Sequence, residues 1–221
     1  MRKEEIRQRI LDIGIVPVVR ASSAKLAIAA VQAICEGGIP IIEMTMTVPG
    51  AVDVIRQLSA SIGQEATIGA GTVLDADTAK RCLDAGAEFI VCPALDPGTV
   101  ELAKREGILI MPGALTPNEV IAAWKTGADF VKVFPCGALG GPQYIKSLKA
   151  PLPQIPMVPT GGVNLANAAA FIRAGASALG VGADLVSEKA LASGDVESIT
   201  KTARLFFNAV REARLEPSIG K

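Results

Sequence analysis

Five times along the chain an amphipathic stretch ends in glycine, an apolar run follows, and a loop comes next. The pattern occurs at Gly37-Gly38 before Ile39 to Met44, Gly86 before Phe89 to Cys92, and Gly107 before Ile108 to Met111. It recurs at Gly127 before Phe130 to Phe134, and at Gly175 before Ala178 to Val181. Glycine suits the left-handed residue that closes a helix, and the run after it suits a parallel strand buried on both faces. Gly86, Gly107 and Gly127 are 21 and 20 residues apart, the length of one compact helix–strand unit. Two longer gaps each hold one further unit, with strands at Ala66 to Ala70 and Pro156 to Pro159, and Ile15 to Arg20 adds the first strand.

This spacing predicts eight strands, at 15–20, 40–44, 66–70, 89–92, 108–111, 129–133, 156–159 and 178–181. Helices are expected at 23–36, 50–61, 76–85, 97–106, 117–126, 141–149, 164–174 and 195–214. Ser22-Ser23, Thr116-Pro117-Asn118-Glu119 and Asn164 carry helix-start signals. Residues 3–13 add an N-terminal helix expected to cover the bottom, and the tail after Leu215 is expected to be loosely held. The expected fold is therefore a (β/α)8 TIM barrel in one domain over residues 1–221, with an extra N-terminal helix. A doubly wound open sheet uses the same alternation. However, Arg20-Ala21-Ser22-Ser23 follows the first strand where that fold places a G-x-G-x-x-G.

Composition narrows the chemistry. Lysine plus arginine and aspartate plus glutamate number 22 each, so no excess of positive charge points to a nucleic-acid partner. The longest apolar runs are too short to span a bilayer. Met1-Arg2-Lys3-Glu4-Glu5 has no hydrophobic signal core, so a cytoplasmic location is expected. Histidine is absent, which removes the commonest general base and the imidazole ligands of catalytic zinc sites. No metal or cofactor is expected. Cys35, Cys82, Cys92 and Cys136 form no C-x-x-C pair and are expected to be structural thiols. Trp124 and Tyr144 are expected to pack helices.

Barrel active sites lie at the C-terminal ends of strands, so polar residues there stand out. Lys132 sits inside Phe130-Val131-Lys132-Val133-Phe134-Pro135 and shares a face with Phe130 and Phe134. Desolvation there favours the neutral amine that attacks carbonyls. The bland alternative is a lysine neutralised by a buried carboxylate. Glu43 ends the second strand and is the best base available, either shuttling protons or simply pairing with Lys132 or Arg20. Arg20 ends the first strand, where a guanidinium can grip a carboxylate or phosphate, or else pair with Glu43. Thr72 follows Gly69-Ala70-Gly71 at the end of the third strand. Pro93 at the end of the fourth, and Phe134 beside Lys132, complete the expected pocket lining. Thr160-Gly161-Gly162 after the seventh strand and Gly182-Ala183 after the eighth match the fold's usual phosphate cradle of backbone N–H groups, although glycine-rich loops also make ordinary tight turns.

These segments carry a resemblance. The chain from about Ile13 to the C-terminal helix is similar to the bacterial 2-keto-3-deoxy-6-phosphogluconate (KDPG) aldolases, which often also cleave 4-hydroxy-2-oxoglutarate (KHG). The matching stretches are Glu43-Met44-Thr45 with Thr47-Val48-Pro49, Gly69 to Val73, Phe130 to Pro135, Gly141 to Lys146 and Pro159 to Val163. The resemblance implies Lys132 as the Schiff-base lysine and Glu43 as the acid–base group. It also implies Thr72 on the pyruvate carboxylate, Gly161 and Gly162 on phosphate, no metal, and a homotrimer. Two positions depart from the family. Thr47 stands where some members carry a carboxylate-binding arginine, and Arg20 is expected to supply that guanidinium instead. Ala183 stands where some relatives offer a serine hydroxyl to phosphate. Three alternatives remain at this point: a galactonate-pathway aldolase acting on the epimeric substrate, a phosphosugar isomerase, and a barrel that binds phosphometabolites without lyase activity.

Overall fold

The computed structural model describes residues 2–215. Met1 and the tail after Leu215 lie outside them, as does the expectation of a loosely held tail. The strands are β1 (Ile15–Val19), β2 (Ile41–Thr45), β3 (Thr67–Gly71), β4 (Phe89–Val91), β5 (Leu109–Met111), β6 (Gly113–Ala114), β7 (Val131–Val133), β8 (Met157–Pro159) and β9 (Leu179–Val181). All pair in parallel, in the orders β5-β4-β3-β2-β1-β9 and β6-β7-β8. Every strand residue is buried, which is why the strands read as near-continuous apolar runs rather than alternating ones.

Each expected strand is present, with one refinement. The fifth is interrupted at Pro112 and resumes as β6. Proline has no N–H for the ladder, but the Pro112 carbonyl still accepts from the Lys132 N–H at 3.0 Å. The result is a curled parallel sheet flanked by helices.

The helices are α1 (Lys3–Ile13), α2 (Ala24–Glu36), α3 (Ala51–Ile62), α4 (Ala76–Asp84), α5 (Pro97–Arg105), α6 (Pro117–Lys125), α7 (Pro142–Lys149), α8 (Ala168–Arg173), α9 (Glu188–Ser193) and α10 (Val196–Leu215). Ser23 caps α2 through its hydroxyl, and Thr116 with Glu119 forms a reciprocal capping box at α6. The punctuating glycines Gly38, Gly86, Gly107, Gly127 and Gly175 all have positive φ, between 69° and 101°. The expected helix at 164–174 is shorter, beginning at Ala168. Asn164 and Asn167 instead exchange side-chain-to-backbone hydrogen bonds of 2.8 and 3.1 Å, holding residues 164–167 in a turn. Asparagine stabilises such local turns in competition with the helix it was expected to start.

Two apolar clusters follow from the strand geometry. One lies between the helices and the sheet and includes Ile15, Val19, Ile42, Ile68, Ile90 and Ile110. The other lines the concave face and joins Val16, Ile41, Phe89, Leu109, Phe130 and Val158 to Ile6 and Ile10 of α1. Side chains alternate along a strand, so Glu43 shares the inner face with Ile41, and Lys132 shares it with Phe130. Gly69 also opens onto this face. A Cβ there would sit 2.4 Å from the Phe89 ring, so only glycine leaves that ring its place.

Candidate active site

Lys132 and Glu43 come from β7 and β2 and meet inside the curl. Lys132 Nζ lies 3.4 Å from Glu43 Oε1, with the two residues 5% and 2% exposed. They form both a hydrogen bond and an ion pair, so the pairing expected of a structural lysine is real. It is also the arrangement a proton shuttle needs, with an amine and a carboxylate exchanging a proton out of water's reach.

The surroundings fix this geometry. Gly71 is registered against Thr45, and a Cβ on it would fall 2.1 Å from Glu43 Oε1 and 2.3 Å from its Cγ. The missing side chain is therefore the space the Glu43 carboxylate occupies. The Phe134 ring lies 5.6 Å from Lys132 Nζ, within cation–π range. Gly113, which is registered against Lys132, has no room for a Cβ because the Pro93 carbonyl is there. Pro93 thus lies beside the Lys132 strand, and Phe134 directly follows it.

Arg20 does not pair with Glu43. It is exposed and, among the described residues, makes no hydrogen bond or ion pair. It lines a cavity of about 460 Å³ together with Ser22, Leu26, Thr47, Glu188 and Leu191. Thr72 is half-buried and holds φ at 58°. For a β-branched residue this backbone is strained by about 1–3 kcal/mol, a cost typical of functional positions.

On the other side, Thr160 is buried and bridges to Gly180. A Cβ on Gly180 would meet Thr160 Oγ1 at 2.1 Å. Gly161 and Gly162 have φ of 84° and 77°, and Gly161 O accepts from Gly137 N at 2.8 Å. Gly182 O accepts from Leu185 N and Val186 N at 3.0 and 2.9 Å, closing a turn that leaves Ala183 exposed.

Burial pushes the Cys92 thiol up to about 12, and Cys35, Cys82 and Cys136 up to about 11. All four are free and protonated near neutrality. Trp124 and Tyr144 pack partly buried against the helix-side core. Among the described residues there is no group of three or more His, Cys, Asp or Glu that could hold a metal, and no helix is long and apolar enough to cross a membrane.

Sequence reasoning missed two members of this region. Thr45 is fully buried, and its hydroxyl contacts both Val19 O and Thr47 Oγ1. Its position two residues after Glu43, on the same strand face, was the available signal. Glu188, on α9, carries no such signal.

A buried amine paired with a carboxylate is the equipment of an enzyme that forms imines with carbonyl substrates. Comparison with known proteins gives the particular lineage. The model of the KDPG and KHG aldolase family matches residues 6–202, and the chain belongs to that family. It is 34% identical over 210 residues to the KHG/KDPG aldolase of Escherichia coli K12, covering 94% of this chain and 96% of that one. It is also 34% identical over 202 residues to the 2-dehydro-3-deoxy-6-phosphogalactonate aldolase of the same strain, covering 91% and 96%. The KDPG aldolase of Legionella pneumophila, solved with pyruvate captured as a covalent carbinolamine intermediate, superposes with a TM-score of 0.81 at 25% identity, covering 90% of this chain and 96% of that one. The chain is an aldolase of the Schiff-base class.

Proposed function

We propose that this aldolase cleaves 2-keto-3-deoxy-6-phosphogluconate to pyruvate and glyceraldehyde 3-phosphate, and 4-hydroxy-2-oxoglutarate to pyruvate and glyoxylate. The observation that carries the reading is the Lys132 amine 3.4 Å from Glu43 on a largely apolar inner face. Neutral Lys132 adds to the C2 carbonyl, giving a carbinolamine. Glu43 relays protons until water leaves and a cationic imine forms. Glu43 then takes the proton of the C4 hydroxyl while the C3–C4 bond breaks, with its electrons moving into the imine. The aldehyde departs, the remaining enamine is protonated at C3, and hydrolysis frees pyruvate and Lys132.

The other roles follow from chemistry and position. Arg20 and Thr72 hold the carboxylate, with Thr47 beside them. Backbone N–H groups around Gly161, Gly162, Gly182 and Ala183 receive the phosphate, and Thr160, Pro93 and Phe134 wall the pocket. The barrel reading of the fold, as one closed domain, is supported by hydrogen bonds at both seams of the sheet. Asp129 N donates to Ile110 O at 3.1 Å at one, and Ser177 N donates to Met157 O at 2.9 Å at the other. In this reading the enzyme works as a cytoplasmic homotrimer.

Incubation with pyruvate and borohydride is expected to leave one reduced adduct, located on Lys132 by peptide mass spectrometry. Its absence overturns the mechanism and leaves a phosphosugar-binding barrel. Equal identity to relatives of both epimer specificities supports galactonate cleavage as a second reading. The ratio of kcat/KM on the two epimers decides between them, with the gluconate form expected to be the better substrate.

A further inference from the structure

We propose that Thr47 selects substrates bearing a hydroxyl group, and that Thr45 is the positioning residue that makes it do so. The argument is one of proton count. Thr45 is fully buried, so water does not share its hydroxyl. Its Oγ1 lies 2.9 Å from Val19 O and 2.7 Å from Thr47 Oγ1. A carbonyl oxygen only accepts, so the contact with Val19 takes the single Thr45 proton. With both contacts made, the second has one polarity: Thr47 donates and Thr45 accepts. The exposed Thr47 oxygen therefore turns its proton inward and presents lone pairs outward.

Arg20 lines the same cavity of about 460 Å³ and has only donors to offer. A bare anion satisfies the guanidinium but meets lone pairs at Thr47. A ligand carrying an anionic group and, besides the C4 hydroxyl that Glu43 deprotonates, a further O–H satisfies both. The place fits a substrate held on Lys132. Thr45 lies two residues beyond Glu43 on the same face of β2, about 7 Å along the strand. The Glu43 carboxylate occupies the space beside Gly71, the residue registered against Thr45. Chemically, the fitting class is a 2-oxo acid with a hydroxyl beyond C4, and both pyruvate and 4-hydroxy-2-oxoglutarate lack the group that Thr47 recognises. A site built to hydrogen-bond a hydroxyl discriminates strongly against analogues lacking it. This inference rests on the aldolase reading above and adds a selectivity to it.

The test compares two quantities in the intact enzyme and in T47V, T45V and T45S. One is the KM for cleavage of 2-keto-3-deoxy-6-phosphogluconate. The other is the pyruvate concentration giving half-maximal borohydride trapping on Lys132. Thr47→Val is expected to raise the first about tenfold more than the second, the worth of one lost hydrogen bond. Thr45→Val frees the Thr47 proton and is expected to shift the ratio in the same direction. Thr45→Ser keeps the relay and restores it. Equal effects on both quantities in T47V, or a T45V enzyme with the wild-type ratio, overturn the proposal. Failure of the aldolase reading has a separate signature, the absence of any wild-type adduct on Lys132.

Discussion

At the residue scale, the site depends as much on missing side chains as on present ones. Gly71 has no Cβ because the Glu43 carboxylate stands 2.1 Å from where it would be. Gly71→Ala is therefore expected to displace the base and lower kcat by about 100-fold, in line with the loss of a positioned acid–base group. Steady-state kinetics with a thermal melt check this, with melting little changed and the rate reduced. Lys132 was legible in the sequence because a charge in an apolar strand is rare without a reason. Glu43 was legible as a carboxylate closing an apolar run, although β2 continues past it to Thr45. The purpose of Gly71 was not, since it lies in which neighbour fills the space. Nor was the Thr45 relay, because hydroxyl polarity depends on distances between atoms of two strands.

At the scale of elements, the strands were legible from their glycine punctuation, and the interruption at Pro112 was not. A proline ends a strand in one-dimensional reading, whereas here its carbonyl keeps the ladder to β7 intact. The helix starts divide in the same way. The α6 signal was explicit, and Glu119 accepts from Leu115 N and Thr116 N at 2.9 and 2.7 Å. These bonds hold its carboxyl below the ordinary 4.5. A depressed folded-state value means that the contribution of Glu119 to stability is complete above pH 4.5 and is lost as pH falls through the lower folded value. Urea unfolding across that range is expected to show a weaker acid dependence in Glu119→Gln than in the wild type. At neutral pH, Thr116→Ala is expected to cost about 1 kcal/mol.

For the whole molecule, a catalytic pole and a structural pole are separated by the inner apolar cluster. At the structural pole, Ile6 and Ile10 of α1 are sealed against Val16, Phe89 and Phe130. Lys3 pairs with Asp129 at 2.8 Å, in front of β7. Ile10 is 0% exposed, so Ile10→Ala is expected to destabilise by about 2–5 kcal/mol through the cavity it leaves. Because the proposed substrate site lies at the other pole, KM is expected to stay within twofold. Chemical denaturation and initial-rate kinetics on the same preparation separate the two effects. The N-terminal helix was expected at residues 3–13, but the residues it covers were not legible, because they come from strands distant in sequence.

Arg214 near the end of α10 donates to Asp12 O at 2.8 Å and to Ser177 O at 3.0 Å, which ties the last helix to the first beneath the sheet. Both helices thus offer attachment points on the side away from the amine. A tether, a carrier surface or a companion enzyme joined through either one would hang below the molecule and leave the mouth open to diffusing substrate.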